Sequence, residues 1–205
     1  AGGKQVAGKK LKNKEGWNKN GNGTDDFGFS ALSAGAKDNS GRYIVEGYLT
    51  LFWGSMEKDC DKAFGLLLNF GADSVNLESG SKDFRWSVRC IKDETVVPAT
   101  EVTVDSVTDS RDGQTYKTLK IGTQTWMAKN LNYKADSSFC YDKEESNCAK
   151  YGRFYKWDDA LRACPSGWHL PSKAEFETVI GSVGDKQFAG RYLKSKEGWS
   201  YSGNG

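Results

Sequence analysis

GGKQVAGKKLKNKEGWNKNGNG (2–23) returns near the other end of the chain as GDKQFAGRYLKSKEGWSYSGNG (184–205). The two segments align without gaps at an offset of 182, with fourteen of 22 positions identical. That period is longer than a solenoid unit of about 20–50 residues and suits a whole domain. A chain that holds one motif twice at that spacing contains one period plus an overlap. The reading frame expected from this is cyclic, with the natural start of the folding unit near the middle of the sequence.

Composition agrees with that frame. DETVVPATEVTVDS (93–106) has one Pro, no aromatic residue and no Gly, and reads as an extended linker. Residues 1–92 are therefore expected to be the C-terminal half of one repeat, 93–106 a linker, and 107–205 the N-terminal half of the next.

Around this frame the elements divide by type. TYKTLKI (115–121) is strand-like and is entered by the turn Arg111-Asp112-Gly113-Gln114. A short helix is expected over Tyr155–Ala163. Ser172-Lys173-Ala174-Glu175 is a capping box, and Phe176, Val179, Ile180 and Val183 follow with helical spacing. In the front half, Phe64, Leu66, Leu68 and Phe70 alternate along one strand face. Phe84, Trp86, Val88 and Cys90 do so on another, opposite Arg85, Ser87 and Arg89. Helices in one half and antiparallel strands in the other make an α+β layout.

Bulk properties exclude some functions. Twenty-nine Lys and Arg against 27 Asp and Glu leave a net charge of +2, no basis for nucleic-acid binding. No apolar run reaches the length of a membrane span. Residues 1–20 are polar and lysine-rich and do not read as a signal peptide.

Five cysteines stand at 60, 90, 140, 148 and 164, with no C-x-x-C pair and a single His169, so chelation is not expected. Cys140 and Cys148 bracket the polar loop YDKEESN, where a bridge would pin a surface loop. Cys90 ends an amphipathic strand and Cys164 follows a helix, so a bridge between them would tie helix to sheet. Cys60 is left over, free or paired between molecules. Reduced cytosolic thiols are the alternative for all five.

DSRDGQTYKTLKIGTQTWMAKNLNY (109–133), CAKYGRFYKWDDAL (148–161), CPSGWHLPSKAEFETVI (164–180), GTDDFGFSALSAG (23–35) and FRWSVRCIKD (84–93) together resemble the Fibrobacter succinogenes major paralogous domain. The resemblance covers nearly everything except the linker, and it places the 109–180 motifs before those of 23–93, as the repeat alignment requires. Phe52-Trp53-Gly54-Ser55 departs slightly from the family's Trp-Ser-Ser or Trp-Ser-Ala run. The resemblance implies an exported, surface-located module, often in tandem. It also implies a C-type-lectin-like fold, with two helices packed on antiparallel strands, long loops, and a helix-to-last-strand disulfide that the Cys90–Cys164 pairing fits. Fold alone does not settle function.

Catalysis is not expected. Formylglycine-generating relatives of this fold use a reactive cysteine pair and a metal, and no such pattern stands in this sequence. His169 lies in Gly-Trp-His-Leu-Pro, where a structural role fits better. No cofactor is expected. Asn22, Asp25 and Asp26 form a weak Ca²⁺ candidate, with an Asx-rich turn as the plainer account. Tyr48, Trp53 and Trp86 are candidates for a sugar-stacking platform, although such residues more often build core. The expected function is a structural or adhesive repeat module outside the cell or on its surface, whose partners are neighbouring copies and which can build a filament. The alternative is a lectin-like domain that binds polysaccharide or another ligand.

Overall fold

Seven strands come from the front portion: β1 (Ala36–Lys37), β2 (Tyr43–Ile44), β3 (Leu49–Glu57), β4 (Lys62–Asn69), β5 (Val75–Ser81), β6 (Trp86–Ser87) and β7 (Ile91–Lys92). The rear portion adds β8 (Ser106–Thr108), β9 (Thr115–Ile121), β10 (Gln124–Met127), β11 (Phe154–Tyr155) and β12 (Trp168–His169). It also holds the helices α1 (Glu145–Tyr151), α2 (Trp157–Ala160) and α3 (Lys173–Ser182). The computed structural model describes residues 25, 27–70, 75–94 and 105–182. Both copies of the repeated motif and Val183 lie outside them. The architecture is α+β.

Two five-stranded sheets run in the orders β12-β7-β10-β9-β8 and β11-β6-β3-β4-β5, and β1 pairs with β2. Neither large sheet belongs to one portion of the chain. β7, from the front, sits between β12 and β10, from the rear. β11, from the rear, closes the edge beside β6. The two portions thus pair with each other inside one chain. Most pairings are antiparallel, but β3 and β6 run parallel through Phe52 and Ser87.

The core is shared in the same way. Phe29, Phe52, Leu66 and Leu68 pack with Trp126, Phe176, Val179 and Ile180. A second cluster joins Trp53, Trp86 and Val88 to Met127, Leu131, Tyr155, Trp157 and Trp168. Indole donors stitch the portions together: Trp53 Nε1 donates to the Tyr155 carbonyl at 3.0 Å, and Trp157 Nε1 to the Gly54 carbonyl at 2.9 Å. The departure at Gly54 has a local reason. A Cβ there would sit 3.1 Å from the Phe64 carbonyl and 3.2 Å from that of Pro171.

Several sequence expectations hold. β9 spans Thr115–Ile121, entered through Gly113 at φ 74°. In the capping box, Glu175 N donates to Ser172 Oγ at 3.2 Å and Ser172 N to Glu175 Oε2 at 2.7 Å. This satisfies two donors at the start of α3.

Others need correction. The helix expected over Tyr155–Ala163 shrinks to Trp157–Ala160, because Tyr155 is drawn into β11 opposite Trp86. Both ends of the stretch expected as a linker, 93–106, are tied into the fold. Asp93 N donates to the Gly167 carbonyl at 2.9 Å, Asp105 O accepts from Thr118 N at 2.8 Å, and Ser106 opens β8. Residues 95–104 lie outside the described residues. In FRWSVRC only Trp86 and Ser87 form a strand, and Ser87 and Arg89, assigned to the outer face, are 0% and 1% exposed. Ser87 lies between β3 and β11, and Arg89 is enclosed by Phe29 of the front portion and by Met127 and Asn130 of the rear.

Candidate functional site

Arg89 is the largest fully buried charged side chain among the described residues, and it lies at the wall of a cavity of about 590 Å³. That volume is in the range of small-ligand sites, about 300–1,000 Å³. Gly28, Ser30, Leu32 and Arg89 contribute from the front portion. The remaining walls come from the rear: Gln114 to Lys117 at the start of β9, Ala128 to Asn130 and Asn132 after β10, and Cys148 to Lys150 with Gly152 on α1 and its end. The cavity therefore exists only once the two portions have come together.

Alternation along β9 sets the side-chain directions. Tyr116 points into the core at 4% exposure, while Thr115 and Lys117 are exposed. Gly152 allows α1 to end close to the wall. It has φ 74°, and a Cβ there would approach Asn130 Cβ and the Leu131 carbonyl to 2.7 Å.

The guanidinium is held by neutral acceptors. Arg89 Nη1 donates to the Phe29 carbonyl and, at 3.3 Å, to that of Met127. Nε, at 3.1 Å, and Nη2 both donate to Asn130 Oδ1, while Asn130 Nδ2 donates to the Tyr151 carbonyl at 2.8 Å. The cation also stacks over Phe29, 4.6 Å from the ring centre. Burial lowers the Arg89 pKa to about 9, opposed by the charge of Asp25. Arg89 thus remains a cation at neutral pH, held by neutral acceptors with the charge of Asp25 nearby. Asp25 itself accepts from Ser30 N at 2.7 Å and from Ser30 Oγ at 2.5 Å.

Amides line the other side. Asn132 Nδ2 donates to Gln114 Oε1 at 3.0 Å, and Gln114 Nε2 donates to Asp112 Oδ2 at 2.6 Å. Asn132 Oδ1 is buried and accepts nothing. A buried acceptor without a donor costs free energy unless a bound molecule or water supplies one.

The residues singled out from sequence lie elsewhere. Trp53 and Trp86 are 0% and 3% exposed and stack on each other with ring centres 3.8 Å apart, so they are core and no sugar platform. Tyr48 is 38% exposed and packs edge-on against Phe70. Of the Ca²⁺ candidates, Asn22 and Asp26 lie outside the described residues, and the Asp25 carboxylate is engaged by Ser30.

Cys90 and Cys164 stand at disulfide distance (S–S 2.09 Å), as do Cys140 and Cys148 (2.10 Å), and Cys60 is free and exposed. Glu145 lies near the second pair, a grouping that resembles a ligand set, but both sulfurs are consumed by the bridge and Glu145 pairs with Arg153 at 2.9 Å. His169 sits between Asp93 and Glu175, at 2.7 and 2.8 Å, outside the cavity walls.

Sequence reasoning missed the cavity because its central residue was read as solvent-facing. A usable signal was present in NLN (130–132), whose two carboxamides come shortly after the strand that ends at Met127.

No curated protein and no solved structure matches the chain. The motifs at 148–161 and 164–180, with the end of that at 109–133, fall inside a match to a family model, and those at 23–35 and 84–93 fall outside it. Residues 119–204 match the model of the Fibrobacter succinogenes major domain.

Proposed function

We propose that the chain is a binding module of an exported surface protein, which holds a saccharide in the cavity beside Arg89. One observation carries this: a cavity of ligand size is walled by carboxamides and hydroxyls, among them those of Ser30, Gln114, Asn130 and Asn132. Sugar hydroxyls are donors of the right size and number, and sites built to bond hydroxyls discriminate strongly in their favour. The two disulfides are compatible with export. No helix among the described residues is long and apolar enough to cross a membrane.

In this reading the fold is C-type-lectin-like, with the Cys90–Cys164 bridge as its helix-to-strand tie, and the role is adhesion rather than catalysis. The recurrence of 2–23 at 184–205 favours a tandem array. Because the two portions pair within one chain, each unit of such an array would be self-closed, with copies joined as a string.

The test is a glycan array probed with the oxidised chain and with Ala149→Trp, which puts an indole at the cavity wall from an exposed position on α1. Binding by the parent and loss of at least tenfold in the variant, with an unchanged melting temperature, is the expected result. An array without hits, or equal binding by both proteins, overturns the proposal.

A further inference from the structure

The charge of the cavity says more about what enters it. Of the five guanidinium N–H groups of an arginine, four in Arg89 are spoken for, all by neutral oxygens. Three lysines, Lys117, Lys129 and Lys150, stand on the exposed parts of the same walls. Lysine ion pairs among the described residues involve Lys82, Lys156 and Lys173 instead. No Asp or Glu lines the cavity among the described residues. Two acids bond to lining residues, Asp25 to Ser30 and Asp112 to Gln114.

A chain of net charge +2 has thus gathered four cations around one recess. Asp25 supplies a charge that favours the buried cation, and an anion arriving at the recess would add to it. Low-dielectric walls concentrate the field of such a group, so an anion is favoured over a neutral molecule of the same shape.

We propose that the cavity takes an acidic saccharide, whose carboxylate or sulfate group faces Arg89 and the lysine rim while its hydroxyls face the carboxamides of the wall. This rests on the saccharide-binding reading above and adds the ligand's charge to it. The lysines supply attraction at the rim, and Arg89 supplies a fixed, pre-ordered cation that no rotamer search precedes.

The experiment is calorimetric titration of the oxidised chain with three oligosaccharides of matched length: a hexuronate, a sulfated one and a neutral one. The same titrations are run on Lys117→Gln/Lys129→Gln/Lys150→Gln, whose exposed positions leave the core untouched. At least one acidic ligand should bind about tenfold or more tightly than the neutral one, and the better arm identifies the acid group. The triple variant should lose most of that margin, and added salt should erode it in the parent. Arg89→Gln should abolish the margin too, and the triple variant keeps the test valid if that substitution unfolds the chain. Equal affinity for neutral and acidic ligands overturns the charge assignment and leaves saccharide binding standing. No binding by any of the three overturns both.

Discussion

Cys90 and Cys164 are bonded across 74 positions, joining the segment that leads into β7 to the turn after α2. Cys140 and Cys148 close only 8 positions around a surface turn. In the chain-entropy account a cross-link stabilises by restricting the unfolded chain, more for longer loops. Loops of these sizes correspond to about 4.5 and about 2.5 kcal/mol. Cys90→Ala/Cys164→Ala is therefore expected to cost more than Cys140→Ala/Cys148→Ala in urea unfolding. An equal or reversed order would show that the long bridge does not hold the two portions together.

Asp109 and Arg111 form a second tie of this kind. The Asp109 carboxylate, fully buried, accepts from Arg111 Nε at 2.9 Å and Nη2 at 2.6 Å, and the same Nη2 donates to the Ala163 carbonyl at 2.7 Å. The side-chain hydrogen bonds from Arg111 hold the Asp109 pKa below its ordinary value against the cost of burial. A depressed folded-state pKa stabilises the fold above the unfolded value, about 3.9, and that stability is lost as pH falls through the folded one. Asp109→Asn should cost about 1–3 kcal/mol at neutral pH and flatten the loss of stability on the acid side. A variant with an unchanged acid limb would refute the linkage.

His169 behaves with the opposite sign. Burial disfavours its charged form, but hydrogen bonds to Asp93 and Glu175, with the charges of both, outweigh this and raise the pKa. A raised folded-state pKa stabilises fully below the unfolded value, about 6.5, and the contribution fades as pH climbs through the folded one. Because the chain has a single histidine, its ring protons give one NMR titration. The midpoint should lie above 6.5 and fall on Glu175→Gln. A midpoint below the ordinary value would contradict the bridged geometry.

Local signals were legible in the sequence, and non-local ones were not. The Ser172–Glu175 capping box and the β9 strand are set by residues within a few positions of each other, and both appear where expected. The α+β class followed from such segments. Alternation in FRWSVRC failed because it assumes one wet face. Here β6 is flanked by β3 and β11, and Arg89 is covered by Asn130 and the Met127 carbonyl, some forty positions away. The polar residues of that stretch are thus buried for reasons spread across both portions. The same distance effect moved Trp53 and Trp86 from candidate platform to core, since their partners, among them Tyr155, lie far along the chain.

That core position depends on two glycines. Trp86 stacks on Trp53 with planes inclined by 18°, and the far side of its ring rests on β4 and β5 where Gly65 and Gly80 present no side chain. A Cβ at Gly65 would meet Trp86 Cζ3 at 2.7 Å, and one at Gly80 would meet Trp86 Cζ2 at 2.3 Å. Neither contact is sterically tolerable, so an alanine must push the indole toward Trp53 or part the strands. Overpacking of this kind costs about 1–3 kcal/mol. Gly80→Ala is the cleaner probe, because a Cβ at Gly65 would also meet the Phe52 carbonyl at 2.3 Å. Its near-ultraviolet circular dichroism should lose the exciton-like signal of the stacked pair along with the stability. Trp86→Leu introduced with Gly80→Ala should recover part of the stability by vacating the space. If Gly80→Ala melts like the parent with an intact indole signal, the indole does not lie against that strand.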